Sequence, residues 1–416
     1  MSGSVEIKKI AVCGLGKLGS PIAAAFSSSE IPVVGFDLDS NKVNKINSRI
    51  APVTEPDLDE YLKLSTVRNN LQATTRVDYA VSLSDACLFV TPTPSLPDGS
   101  FDHSQLTNAI MSFAREVAKQ KRRNYFFIIN STVTPRFLDS QVLPLVQRLC
   151  NSLHPRVAYK PEFIAIGTVL RDLHNPDFLL IGEDSDGTGA AVEALYRNMV
   201  FQNPEVKHMA LIEAELAKIS LNCAVTMKIS YANQVGAVAR KLGADPVKIL
   251  DAVGTDRRIG KLALRPGLPF GGPCFPRDNR MFRHVASTVG EGTPIADAVD
   301  IMNRRVLREL LERVPLHGDV GILGLAYKPG TSLTDESAGM FWRHALKCRG
   351  RRVKCHDPQA EHDSTVEEVL ACETVIVACP WPQYRDLRVP DGTVVLDPSD
   401  IVQTVERYRP NMAVSA

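Results

Sequence analysis

The sequence predicts an α/β protein in which two doubly wound domains are joined by a long central helix. Three observations predict it. Short β-rich runs alternate with helical patterns through about residue 182, a Pro-free apolar stretch of more than thirty residues follows from about 206, and the strand-turn-helix rhythm returns after residue 318. A chain of 416 residues has room for two or three domains of roughly 150 residues each.

The first strand is expected over 10–13. It runs into Gly14-Leu15-Gly16-Lys17-Leu18-Gly19, and the helical stretch PIAAAFSSS follows. Strand, glycine turn and helix in that order are the context a dinucleotide fingerprint requires. The glycines let the backbone turn tightly and approach a pyrophosphate, whose charge then sits on the helix N-terminus. The second strand, 33–36, ends at Asp37, 18 residues beyond Gly19. A carboxylate there would accept hydrogen bonds from an adenosine ribose and repel a 2′-phosphate, which favours NAD over NADP. The domain is therefore read as Rossmann-like, with Gly14, Gly16, Lys17, Leu18, Gly19 and Asp37 as cofactor contacts. Further strands are expected over 86–90, 125–130, 156–159 and 178–182, and strands separated by helices imply a parallel sheet.

The stretch 206–242 contains no proline and a single glycine, so it reads as one helix of about 50 Å. It is apolar on nearly every face, which predicts packing between domains or against a second subunit and makes a homodimer the natural expectation. On it, Lys218 and Asn222 stand at i and i+4. A buried ammonium group is costly unless paired, so this pair either meets a carboxylate or lines a pocket.

Next comes Phe270-Gly271-Gly272-Pro273-Cys274-Phe275-Pro276-Arg277-Asp278. Two glycines precede the cysteine, and Pro276 suits a first helical turn. A thiol at a helix N-terminus has its thiolate stabilised by exposed amides, so Cys274 is a candidate nucleophile, with Asp278 one turn on along the same face. NAD together with an activated thiol implies aldehyde-level oxidation through a covalent adduct. Beyond 318, strands over 319–327, 352–356, 374–378 and 393–397 with a helix over 336–348 make a second, smaller Rossmann-like domain. The expected division is 1–203 for cofactor binding, 204–300 for the central helical and cysteine-bearing region, and 301–416 for the C-terminal α/β domain.

Composition narrows the partners. The chain is 44% hydrophobic and 23% charged, with 48 basic against 47 acidic residues and a net charge of +1. No global field draws it to nucleic acid or an anionic membrane, and neither is expected as a partner. Nine cysteines without a CxxC pair argue against a zinc site or a disulfide framework, so no metal is expected and the thiols read as reduced and cytoplasmic.

Beyond these signals, the chain resembles the UDP-glucose/GDP-mannose dehydrogenase family along nearly its whole length. The resemblance rests on the glycine turn, NKVNKINSRIAPVTEPDLDEYL (41–62), the TPTP turn from Thr91 to Pro94, Ser131-Thr132-Val133 and Lys160-Pro161-Glu162-Phe163. It continues in AELAKISLN (214–222), Arg258-Ile259-Gly260, GGPCFPRD (271–278), GLAYKPGT (324–331) and Trp381-Pro382. It implies a four-electron oxidation of the C6 hydroxymethyl of a nucleotide sugar to a carboxylate, with two NAD+ reduced in succession. By the same resemblance Cys274 carries the thiohemiacetal and thioester, Asp278 and Thr132 orient water or move protons, and Lys218 and Asn222 hold the developing oxyanion. Glu162 would act as an acid/base or position water. Thr91, Pro92, Thr93, Ser131 and Thr132 would join the cofactor contacts. Glu162, Phe163, Lys218, Asn222, Arg258, Phe270, Gly271 and Lys328 would contact substrate, Arg258 from a neighbouring subunit and Lys328 at the diphosphate.

The chain departs from the family pattern in three places. Asp335 stands where an arginine facing the cofactor is usual, Pro269 replaces a glycine, and Arg277 replaces a lysine. UDP-glucose is the expected substrate; GDP-mannose, another NDP-glucose or a UDP-N-acetylhexosamine would use the same thiol chemistry. A two-electron β-hydroxyacid dehydrogenase would need neither Cys274 nor a second α/β domain. A non-catalytic sugar-nucleotide-binding homologue, suggested by Asp335, would need no thiol with attending polar groups.

Overall fold

The structure, a computed structural model, describes residues 6–185, 187–399 and 402. The chain divides into two compact units, residues 1–218 and 219–416. The first unit is built on an eight-stranded sheet of β1 (Ile10–Cys13), β2 (Val33–Phe36), β3 (Leu71–Thr74), β4 (Ala86–Phe89), β5 (Phe126–Ile129), β6 (Arg156–Tyr159), β7 (Phe178–Glu183) and β8 (Glu205–Ala210). Its order is β3-β2-β1-β4-β5-β6-β7-β8. The pairings are parallel from β3 through β6 and again between β7 and β8, but β7 runs antiparallel to β6. The expectation of a parallel sheet therefore holds for six strands and fails at this one junction.

Both faces of the sheet are covered, which is why its strands read as unbroken apolar runs. Along β5, Phe126 and Ile128 enter one core beside Ile22 and Phe26, whereas Phe127 and Ile129 enter the other beside Phe113 and Phe137. Strand order reverses between β1 and β4, so their carboxyl ends leave the crevice in which open α/β sheets bind ligands.

The long helix spans Leu211–Lys241, 31 residues or about 46 Å. Its expected start was too early, because Glu205–Ala210 forms β8. The boundary is fixed locally: Ala210 N donates to Glu213 Oε2 at 2.8 Å, a carboxylate closing the first turn. One stripe of this helix is open in the single chain, where Met227, Tyr231 and Val238 are 41%, 53% and 54% exposed.

The second unit adds helices Pro246–Thr255, Phe275–Thr288 and Pro294–Glu312 and a four-stranded parallel sheet. Its strands are β9 (Val320–Leu323), β10 (Val353–His356), β11 (Thr374–Val377) and β12 (Val394–Leu396), in the order β10-β9-β11-β12. Ile322 and Trp342 lie in the core on one face; Leu323, Val377 and Trp381 lie in that on the other. No helix among the described residues is long and apolar enough to cross a membrane.

Candidate active site

The glycine turn sits at the carboxyl end of β1. Gly14 has φ +100°, and a Cβ there would meet the Val90 carbonyl oxygen at 2.8 Å. A Cβ on Gly19 would lie 1.7 Å from the Gly14 carbonyl oxygen, so the helix Gly19–Ser28 can approach the strand only without a side chain. Gly16 differs: nothing lies within 4 Å of its Cβ position, leaving open space in front of the turn. Lys17 is exposed and Leu18 caps the helix. Asp37 Oδ2 accepts from Leu15 N at 2.7 Å and lies 3.3 Å from Lys42 Nζ, while Oδ1 accepts from Asp39 N at 2.9 Å. The carboxylate is thus tied to the turn itself, and its side chain retains 11% exposure.

The ends of β4 and β5 are stitched together beside this turn. Ser131 Oγ donates to Thr91 O at 2.7 Å, and Thr93 Oγ1 donates to Thr132 O at 2.7 Å. Pro92 between them is exposed. Thr91 Oγ1 is buried with no hydrogen-bond partner, a polar atom that protein alone leaves unsatisfied. An open cradle at Gly16, a carboxylate at the end of β2 and an orphaned hydroxyl at the end of β4 fit a dinucleotide.

A second cluster surrounds Glu162. Its carboxylate is nearly sealed, with Oε2 accepting from Lys160 Nζ at 2.6 Å and Oε1 accepting from Asn130 Nδ2 and the Tyr196 hydroxyl, each at 3.0 Å. Burial pulls the Lys160 ammonium below its usual pKa, against the opposing pull of Glu162, and pushes the Tyr196 hydroxyl well up. Lys218 Nζ donates to the Glu162 carbonyl oxygen at 2.6 Å and lies 4.4 Å from the centroid of the Phe163 ring. Sequence reasoning assigned no role to Asn130, Lys160 or Tyr196. Lys160 was visible inside the quoted KPEF run; Asn130 and Tyr196 carried no local signal.

In the second unit Cys274 is the N-cap of the helix Phe275–Thr288, with Pro276 in its first turn. Among the nine cysteines its side chain and that of Cys348 are the exposed ones, and Cys223 is half-buried. Burial pushes the Cys150 thiol up to about 11 and those of Cys223 and Cys355 up to about 12, which removes them as nucleophiles near neutrality. Asp278, fully buried, accepts from Asn222 Nδ2 at 2.5 Å on Oδ2 and from Arg277 Nε at 3.2 Å on Oδ1. The structure therefore brings Asn222 and Asp278 into contact, and Lys218 lies one helical turn before Asn222.

The loop leading to Cys274 is clamped from several elements. Asn233 on the long helix accepts from Gly267 N at 2.8 Å; Asn303 accepts from Phe270 N at 2.9 Å and donates back to Phe270 O at 2.8 Å. Gly272 N donates to Asp335 O at 2.8 Å. A Cβ on Gly271 would lie 2.5 Å from the Glu336 carbonyl oxygen, and one on Gly272, at φ +85°, 2.5 Å from the Tyr327 ring. Asp335, the departure from the family pattern, thus serves this loop through its main chain, while Glu336 beside it pairs with Arg280. Lys328 follows Tyr327, half-buried, its Nζ 5.8 Å from that ring's centroid. Arg258 is 83% exposed and paired with Asp256 at 2.7 Å, in the turn after the helix Pro246–Thr255. Among the described residues no group of three or more His, Cys, Asp or Glu is arranged to hold a metal.

Comparison with known proteins identifies the family of the chain. Models of the UDP-glucose/GDP-mannose dehydrogenase family match the chain in three parts: the NAD binding domain over residues 8–200, the central domain over 212–305 and the UDP binding domain over 321–409. NAD is accordingly the cofactor of the first unit. The chain is 31% identical over 403 residues to the UDP-glucose 6-dehydrogenase AglM of Haloferax volcanii, covering 91% of this chain and 93% of that one. It is 27% identical over 405 residues to a GDP-mannose 6-dehydrogenase of Pseudomonas aeruginosa, covering 95% and 90%. A UDP-glucose dehydrogenase structure from Pyrobaculum islandicum superposes with a TM-score of 0.89 at 31% identity, covering 96% of each chain. The chain belongs to the UDP-glucose/GDP-mannose dehydrogenase family.

Proposed function

We propose that the chain is an NAD-dependent nucleotide-sugar 6-dehydrogenase, with UDP-glucose as substrate and UDP-glucuronate as product. Cys274 carries the reading: an exposed thiol at a helix N-cap, behind a clamped glycine loop, with Asp278 one turn on and held by Asn222. Oxidation of the C6 alcohol to the acid consumes one water and releases two hydrides, for which two molecules of NAD+ in succession are the acceptors. The chain's own part is covalent and electrostatic. The Cys274 sulfur adds to the C6 aldehyde carbon and gives a thiohemiacetal, whose oxidised form is a thioester; water then cleaves that thioester, and sulfur leaves with the electron pair of the C–S bond.

Lys218 and Asn222 are assigned to the oxygen that gathers negative charge, as preorganised donors on one helix stripe. Asp278 and Thr132 are assigned to water and its proton. Glu162, with three donors on its carboxylate and its carbonyl bonded to Lys218, is assigned to positioning. Lys328 meets the diphosphate, and Phe163, Phe270 and Gly271 shape the sugar site. Gly14, Gly16, Lys17, Leu18, Gly19, Asp37, the Thr91–Thr93 run and Ser131 hold NAD, with Leu38, 85% exposed beside Asp37, offering an apolar face to the adenine. The three-part division at 203 and 300 is retained as a division of labour, and the cytoplasm as the place of action.

A homodimer is part of the same proposal. Met227, Tyr231, Val238 and Leu242 along the long helix and its end, with Val247 and Val253 on the helix that follows, are exposed apolar side chains of the kind a second subunit would cover, and Arg258 on the same unit is exposed too. The 27% identity to a GDP-mannose 6-dehydrogenase keeps GDP-mannose as the second substrate reading. Cys274→Ser tests the chemistry: the variant is expected to bind NAD and UDP like the parent and to make no uronate. Uronate formation at the parental rate would overturn the assignment.

A further inference from the structure

The second unit repeats several main-chain features of the glycine turn of the first, across a longer loop. Gly324 follows β9 with φ +97°, as Gly14 follows β1 with φ +100°. Gly324 N donates to His356 O on β10 at 2.8 Å, as Gly14 N donates to Phe36 O on β2 at 2.8 Å. A Cβ on Gly339 would lie 2.3 Å from the Gly324 carbonyl oxygen, the counterpart of Gly19 on Gly14. Ser337 Oγ, two residues before Gly339, donates to Leu325 O at 2.6 Å, and in the first unit Ser20 Oγ, one residue after Gly19, serves the corresponding Leu15 O at 2.9 Å. At the end of β10 stands Asp357, in the place that Asp37 takes at the end of β2.

The two carboxylates differ in what they have left to give. Asp37 has three donors and remains partly exposed. Asp357 is fully buried and takes five. Leu325 N, Ala326 N and Trp381 Nε1 donate to Oδ2 at 2.7, 2.8 and 3.1 Å; Gln359 N and Ala360 N donate to Oδ1 at 2.9 and 2.8 Å. A carboxylate offers about four lone-pair sites, so Asp357 is saturated by protein. Burial works against its charge, yet the four backbone donors hold its pKa below the usual carboxylate range.

The turn that Asp357 grips continues directly into the residues the chemistry needs. Tyr327 follows Ala326, and its ring is the surface against which Gly272 packs, two residues before Cys274; Lys328 comes next. We propose that Asp357 is a positioning residue, closed to any nucleotide ribose, which fixes the 325–328 turn and through it both Lys328 and the Cys274 loop. The inference rests on the proposed function for Lys328 and deepens it: the second unit keeps the dinucleotide-type turn as a structural lock and meets its ligand through the lysine beyond that turn.

The test uses the full chain with Cys348→Ser as background, so that Cys274 is the one remaining exposed thiol, and compares it with Asp357→Asn and Trp381→Phe. UDP and NAD are titrated separately, and the iodoacetamide alkylation rate of Cys274 is followed by mass spectrometry. Asp357→Asn is expected to weaken UDP about tenfold or more with NAD within about twofold, and to change the alkylation rate by at least about threefold. Trp381→Phe removes one donor and is expected to move both quantities in the same direction by less, which keeps the test alive if Asp357→Asn fails to fold. Unchanged UDP affinity and alkylation in a folded variant would overturn the proposal, as would equal weakening of UDP and NAD. If the parent binds no UDP, the substrate reading falls, and the alkylation rate still decides whether Asp357 positions the thiol loop.

Discussion

Replacing Lys160 with Met removes one half of a buried ion pair and leaves the other half in place. The Lys160 and Glu162 side chains are 4% and 6% exposed, and their charged atoms are 2.6 Å apart. Breaking such a pair from one side costs about 3–5 kcal/mol, because a carboxylate stays buried without its cation. Asn130 and Tyr196 still donate to Glu162 Oε1, which places the expected loss at the lower end, about 3 kcal/mol. For a unit of this size that lowers the unfolding midpoint by about 6–12 °C. The double variant Lys160→Met with Glu162→Gln removes the stranded charge while Gln keeps an acceptor for Asn130 and Tyr196, so it should recover at least about 1.5 kcal/mol of the loss. Thermal and urea unfolding of the parent, both single variants and the double variant give the coupling. Activity supplies a second readout: Lys218 bonds the Glu162 main chain, so Lys160→Met is expected to lower kcat about tenfold, or 1.4 kcal/mol. A loss under about 1 kcal/mol, with no recovery in the double variant, would refute the reasoning.

Other consequences follow from single positions. Gly16→Ala meets no atom within 4 Å, so the unfolding midpoint should stay put while the KM for NAD rises about tenfold; a lowered midpoint with unchanged KM would contradict the cradle. His103 accepts from Thr134 N at 3.1 Å and stacks on Phe137 at 3.9 Å, and burial pulls its pKa down to about 4. Because the folded-state value is depressed, its contribution is present above the ordinary 6.5 and is lost as pH falls toward 4, by no more than about 3 kcal/mol. His103→Phe keeps the stacking and should flatten that part of the pH-stability profile; a steeper profile in the variant would refute the assignment. Cys274→Ser is expected to abolish uronate formation while NAD and UDP titrations match the parent; uronate at the parental rate would refute the assignment.

Much of this was legible because buried parallel strands advertise themselves. Runs such as Phe126–Ile129 are apolar on both faces, and the turn from Gly14 to Gly19 can hardly serve another geometry once Gly19 must pack on the Gly14 carbonyl. The strands that sequence reasoning missed lie at the sheet's two edges. In β3 one of four residues is buried, and in β8 none is, so neither carries an apolar pattern, and the polar EVKHMA run was absorbed into the helix beyond it. The antiparallel step at β7 left no mark either, since a buried strand reads the same in both directions.

The site was legible where a motif concentrates residues and illegible where the fold does. Cys274 and Asp278 share one helix turn, and Lys218 and Asn222 another, so spacing alone grouped them within each pair. The donors around Glu162 come from positions 130, 160 and 196, just past the ends of β5 and β6 and on the helix Thr188–Arg197, and tertiary structure alone unites them. Asp357 was equally silent: its role depends on five donors spread over residues 325 to 381.

The claim that this chain carries its substrate through two oxidations, the second of them on the Cys274 thiohemiacetal, is tested most directly by counting. Purified protein, excess NAD+ and a limiting amount of UDP-glucose are followed at 340 nm to completion, with the product identified by mass spectrometry. The account predicts about two NADH per UDP-glucose consumed and UDP-glucuronate as the sole sugar product, because the alcohol-to-acid change releases two hydrides. One NADH per sugar with the aldehyde as product, or none with any nucleotide hexose, would contradict it.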